Sequence, residues 1–105
     1  MPPSTVGFAV VYRWRLRDGM EDRFQRGWEA ITERLLAERG ALGSRLHRAG
    51  DGTWLAYAQW PSRQAWERSR EQGTADPGAA ALMAESVLES FPPILLDPVR
   101  DHLVR

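Results

Sequence analysis

The stretch from Thr53 to Arg70, TWLAYAQWPSRQAWERSR, constrains the fold more than any other part of this chain. It follows a turn signal, Asp51-Gly52, and runs through aromatic and small apolar side chains until it breaks at Pro61-Ser62. Successive strand side chains point to opposite faces, so Trp54, Ala56, Ala58 and Trp60 share one face. Thr53, Leu55, Tyr57 and Gln59 share the other. Neither face is plainly polar. Such a strand needs cover on both sides and belongs at the centre of a small sheet. Past the break, Ser62 caps a short amphipathic helix that carries Trp66.

The flanking segments supply the rest of the sheet. Val6 to Leu16 reads as a strand, with Val6, Phe8, Val10, Tyr12, Trp14 and Leu16 on one face. Its other face begins apolar at Ala9 and Val11 and ends in Arg13 and Arg15. Asp18-Gly19-Met20-Glu21 has the form of a capping box, with Asp18 as N-cap. The helix it opens carries Phe24, Trp28, Ile31 and Leu35 as an apolar stripe and ends at Gly40. Leu42 to Arg48 is a polar, edge-like strand with Arg45 and His47 on one face. Ala49 to Gly52 is a hairpin turn into the central strand. Asp76-Pro77 is a strong helix start, and the alanine-rich helix behind it is expected to run through Val87 and Leu88 and stop near Phe91-Pro92-Pro93. The tail, Ile94 to Val104, suits an edge strand with a bulge or an arm laid on a partner.

The order strand, helix, strand, strand, helix (in two pieces), strand defines an α+β fold. It is the ferredoxin-like sandwich: a four-stranded antiparallel sheet with helices on one face. At 105 residues the chain is one domain, 1–105, large enough for a core without disulfides. The far side of the sheet would present Ala9, Val11 and one face of the Thr53–Trp60 strand, an apolar surface unusual on a monomer. A homodimer that packs two sheets face to face, with the tail reaching toward its partner, is therefore expected.

Composition excludes much chemistry. Fourteen basic residues balance fourteen acidic ones, which leaves no bulk field for nucleic acid or an anionic membrane. Every basic residue is arginine; without lysine there is no Schiff-base chemistry, and without cysteine no thiolate catalysis. Asparagine is also absent. No apolar run spans a membrane and MPPSTVG lacks a signal-peptide core, so a cytoplasmic location is expected. Gly50-Asp51-Gly52 lies in a hairpin and does not open a helix, which fails the dinucleotide test.

The chain resembles the antibiotic biosynthesis monooxygenase superfamily, the dimeric α+β barrel proteins. The likeness rests on the strand ending at Trp14–Leu16 before Asp18-Gly19, the Phe24 and Trp28 helix, Leu42-Gly43-Ser44-Arg45-Leu46, and Tyr57-Ala58-Gln59-Trp60-Pro61-Ser62 leading into Ala65-Trp66. It implies a dimer and, if the protein is an enzyme, oxidation or rearrangement of an acidic phenol-like substrate without a cofactor. The haem-degrading branch carries an asparagine, a tryptophan and a histidine where this chain has Tyr12, Ser69 and Ala79. That argues against haem degradation. The polyketide-quinone branch also uses an asparagine, so only Trp60 or Trp66 carries over from it.

Two residues are candidates for proton handling. Tyr12, on the apolar face of the first strand, either hydrogen-bonds a phenolic or quinone oxygen or serves as a core aromatic. His47 either acts as a general base for a phenol or is an exposed edge histidine. Trp28, Trp60 and Trp66 either wall a flat aromatic-binding cavity between sheet and helices or are ordinary core. Trp14 is an equal candidate for the dimer rim. With His102 in the tail, two histidines make no metal site. Arg13, Arg15 and Arg45 either hold an anionic ligand or pair with acids such as Asp97 and Asp101 at the dimer rim. The competing reading is a non-catalytic dimer, of unknown or stress-related role, whose pocket is filled by its own tryptophans.

Overall fold

The computed structural model describes residues 6–103. Its first strand, β1 (Phe8–Leu16), pairs antiparallel with the whole of β3 (Trp54–Trp60), from Phe8 opposite Trp60 to Trp14 opposite Trp54. β2 (Gly43–Arg48) flanks β3 on its other side, Ser44 opposite Ala58 and Leu46 opposite Ala56. The fourth position is split. β4 (Val87–Ser90) lies along Trp14–Leu16 and β5 (Ile94–Leu96) along Ala9–Val11, both antiparallel to β1. Phe91-Pro92-Pro93 separates them, as expected where two consecutive prolines remove ladder donors. The order β2-β3-β1-β4 is that of the ferredoxin-like sandwich, with a five-stranded antiparallel sheet where four strands were expected.

Three helices cover one face: α1 (Glu21–Glu38), α2 (Arg63–Glu71) and α3 (Pro77–Ser86). The core beneath them is the face read from the alternation. Phe8, Val10, Trp60 and Trp66 form its buried cluster, with Tyr12 and Leu35 packed against it. Phe24 of α1 is fully buried, edge-on to Trp14 at 4.9 Å and to Trp54 at 6.2 Å between ring centroids. α1 leans mainly on α3 and touches β2 only sparsely. Gly27 makes that lean possible, since a Cβ there would sit 2.7 Å from the Ala79 carbonyl oxygen. At the far end, the Arg39 guanidinium donates to the Ser69 and Gly73 carbonyls at 2.8 and 3.2 Å, which ties α1 to the end of α2.

Several local expectations hold. Ser62 Oγ accepts from the Ala65 N–H, and Asp76 Oδ1 from the Ala79 N–H, as helix caps. Gly40 takes φ +78 after α1. Two others need correction. Asp18 does not cap α1: Met20 occupies the N-cap position with no side-chain cap, because Gly19 at φ +79 turns the chain first. The last helix does not run through Val87 and Leu88. Its final residue, Ser86, is buried; its Oγ donates to the Leu82 carbonyl and its own carbonyl accepts from the Arg17 N–H at 2.8 Å. That last bond redirects the chain into β4, where Val87 pairs with Leu16. The tail forms only the three-residue β5 as strand, and Val104 lies outside the described residues.

Candidate functional site

The helix face of β3 reads Trp54, Ala56, Ala58, Trp60, so two methyl groups lie between two indoles. Across the ladder, Ala58 has Val10 on one side and Ser44 on the other, and Ala56 has Tyr12 and Leu46. The floor is therefore low where α1, held against α3, stands off from β2. A cavity of about 210 Å³ results. Its walls are Tyr12 and Trp14 from β1, Trp28, Ile31, Thr32, Leu35 and Leu36 from α1, and Met83 from α3. Ala41, Gly43, Ser44, Ala56, Ala58 and Trp60 complete the lining. None of these residues is charged. Besides the indole N–H groups of Trp14, Trp28 and Trp60, the polar side-chain groups are three hydroxyls, those of Tyr12, Thr32 and Ser44.

Tyr12 is the best-organised of the three. Its ring stacks on Trp14 with centroids 6.0 Å apart and planes 14° from parallel. Its Oη accepts a hydrogen bond from Trp66 Nε1–H at 2.8 Å. Arg70, on the exposed side of α2, lays its guanidinium over the Trp66 ring at 4.8 Å. Burial pushes the Tyr12 phenol above its ordinary pKa; the Trp66 hydrogen bond and the Arg70 charge oppose this without cancelling it. Tyr12 is thus a neutral hydroxyl near pH 7. It can donate a proton in a hydrogen bond but does not serve as a phenolate base.

The structure separates the other candidates. Trp28 and Trp60 line the cavity with Tyr12. Trp66 is buried in the core and does not reach the cavity wall; it acts there only through Tyr12. His47 does not join Tyr12. It pairs with Leu55, which is opposite Arg13, so its side chain shares the far face of the sheet with Arg13, whereas Tyr12 faces the helices. There it is exposed and its Nε2 accepts from Arg45 Nε at 3.1 Å. Among the described residues no three His, Cys, Asp or Glu side chains gather as metal ligands.

Reading the sequence missed Thr32 and Ser44 and set Trp14 equally at a dimer rim. Periodicity carried a signal for all three. Thr32 stands one helical turn after Trp28, Ser44 shares its strand face with Leu46, and Trp14 lies on the same face as Tyr12.

The far face differs in kind. Arg15 reaches Glu89 at 3.8 Å, and the Arg13 guanidinium lies 5.2 Å from the Phe91 ring centre. A wider cleft of about 450 Å³ runs under the tail, bounded by Ala9, Tyr57 and Gln59 of the sheet and by residues such as Leu96, Arg100 and His102. Its outer wall, residues 97–103, is exposed throughout, so this is a gap beneath a strap and not an enclosed site.

Residues 7–87 match the family described as antibiotic biosynthesis monooxygenase, and the chain belongs to that family. No curated protein matches it. Among solved structures it is similar to Rv0793 from Mycobacterium tuberculosis, with TM-score 0.73 and 20% identity over 91% of this chain and 98% of that one. It is also similar to SnoaB, a cofactor-independent oxygenase from Streptomyces nogalater, with TM-score 0.72 and 16% identity over 93% and 98%. A conserved protein from Methanosarcina mazei Go1 aligns with TM-score 0.72 and 12% identity over 90% and 94%. At these identities the likeness is one of fold. No helix among the described residues is long and apolar enough to cross a membrane.

Proposed function

We propose that this protein binds a small phenol- or quinone-like aromatic molecule in the cavity between sheet and helices, with Tyr12 donating a hydrogen bond to the ligand's oxygen. The observation that carries the reading is an apolar, uncharged cavity of about 210 Å³ with one half-buried phenol at its wall. An engineered cavity of roughly 150 Å³ is enough for benzene, so this volume suits one or two fused rings. Trp28, Trp60 and Trp14 provide flat walls, and Thr32 and Ser44 offer hydroxyls to a second oxygen.

If the bound molecule is oxidised, we read the chemistry as cofactor-independent monooxygenation, in keeping with the family and with what SnoaB is named for. The electrons then come from the ionised substrate and the oxidant is dioxygen. The cavity lining holds no histidine or carboxylate, so the substrate's own acidity must supply the ionised form. The Tyr12 hydroxyl would stabilise the resulting oxyanion, an interaction worth most in a site shielded from water. A second copy of the chain over the far face belongs to the same proposal. Val11, Leu55, Tyr57, Ile94 and Leu96 form an apolar strip there that the tail covers only in part.

Tryptophan emission tests the binding claim. Naphthoquinones and simple polyphenols should quench or shift it saturably, and Ala58→Leu, which fills the cavity floor, should abolish the response at otherwise native stability. A flat titration across the panel would favour the alternative, a dimer with no ligand.

A further inference from the structure

The wall phenol of the cavity is not a free rotor. Trp66 Nε1–H donates to Tyr12 Oη at 2.8 Å, and the indole that makes this bond is 3% exposed, clamped between Phe8 at 5.6 Å and Arg70 at 4.8 Å. A guanidinium over the indole face withdraws electron density and makes the N–H a stronger donor. A phenol oxygen both donates and accepts, and here a neighbour fixed by packing occupies its accepting side. Among the described residues none accepts the Tyr12 hydroxyl hydrogen, and the ring carrying it lines the cavity.

We infer that Trp66 is a specificity-determining positioning residue: by taking the accepting side of Tyr12, it makes the cavity select ligands whose oxygen accepts a hydrogen bond, a ketone or quinone carbonyl, over ligands of equal shape whose hydroxyl must also donate. The inference rests on the proposed ligand cavity. It assigns discrimination to a residue that never touches the ligand. Thr32 and Ser44 serve a second oxygen of the ligand, so at the oxygen that meets Tyr12 a phenolic O–H is left without an acceptor, a cost that falls on the phenol but not on the ketone.

Three bicyclic probes of matched shape separate the terms: 1-tetralone (acceptor), 5,6,7,8-tetrahydro-1-naphthol (donor and acceptor) and tetralin (neither). Their affinities are measured on the full chain by calorimetry. The wild type should prefer the ketone over the phenol and over the hydrocarbon by about three- to tenfold each, the range of one net hydrogen bond. Tyr12→Phe should erase the ketone-over-hydrocarbon preference. Trp66→Phe should erase the ketone-over-phenol preference while leaving ketone over hydrocarbon in place. Because Trp66→Phe also opens space in the core, the same measurement is made with the benzothienyl isostere of tryptophan at position 66, which keeps the shape and lacks the N–H. A purely structural role for Trp66 would not change a ratio between probes of one shape. A ketone-over-phenol ratio that survives the isostere, or that is absent from the wild type, overturns the inference alone. Failure of all three probes to bind overturns the cavity reading and the inference with it.

Discussion

The two faces of the sheet draw on similar residues and end in different surroundings. On the helix face, β1 and β3 contribute Phe8, Val10, Trp60 and Ala56, all at 3% exposure or less, and three helices seal them. On the far face the same two strands contribute Ala9, Val11, Leu55 and Tyr57, and only the β5 edge and the tail lie near them. Burial on the first face comes from within one chain. On the second it remains incomplete within one chain: Ile94 is 41% exposed and Leu96 38%. The contrast teaches that a cavity and a partly uncovered apolar face can arise from one pattern of alternation. Which of them results depends on whether the chain's own helices reach that face.

The contrast can be broken most directly by truncation. Phe24→Ala removes a fully buried ring from between Trp14 and Trp54 and should cost about 3–5 kcal/mol in urea unfolding. Leu96→Ala should cost below roughly 1 kcal/mol in a lone chain, because its side chain is already partly in water. If a second copy covers the far face, the Leu96→Ala loss grows and depends on protein concentration. Light scattering sharpens the same point. The wild type should have the mass of two chains and Leu96→Arg the mass of one, and a wild-type monomer at micromolar concentration would refute the covered-face proposal.

A smaller effect belongs to Tyr12. Its folded pKa lies above the unfolded value, which is near 10 for a free phenol. Stability from the half-buried neutral phenol is therefore complete below pH of about 10 and is lost as pH rises through the higher folded value. Tyr12→Phe should flatten that alkaline loss, read as the difference between the two proteins' stability profiles from pH 8 upward (roughly the onset of phenol titration). The smallest effect is expected at the rim. Arg15 and Glu89 meet at 3.8 Å with about half of each side chain exposed, so Arg15→Ala should change stability by less than ~1 kcal/mol, and less still in salt.

How much of this was legible differs from residue to residue. The face of Tyr12, Trp14 and Trp60 followed from a period of two, and the Ser62 and Asp76 caps from local hydrogen-bond chemistry that needs only three residues of chain. Asp18 misled for a related reason. Its spacing to Glu21 fits a capping box, yet the left-handed Gly19 between them sets the helix start at Glu21 instead. The end of α3 was not local at all, since the Ser86 carbonyl is captured by Arg17, far away in sequence. His47 was a fair candidate by chemistry. Its alternation with Arg45 put the two on one face of their strand, and only the pairing of His47 with Leu55, opposite Arg13, turned that face away from Tyr12.

Alternation, helical spacing and capping are short-range properties of a chain. From them the sequence by itself determined the strand faces, the helix-covered sheet, the shared face of Ala56 and Ala58 on β3 and the want of a base such as lysine or cysteine. The tertiary structure alone decided that α1 would lean on α3 through Gly27 and leave about 210 Å³ over that floor. It alone brought the Trp66 indole to the Tyr12 hydroxyl across 54 residues of sequence. Volumes and long-range hydrogen bonds depend on how elements close on one another, and no window of residues contains that information.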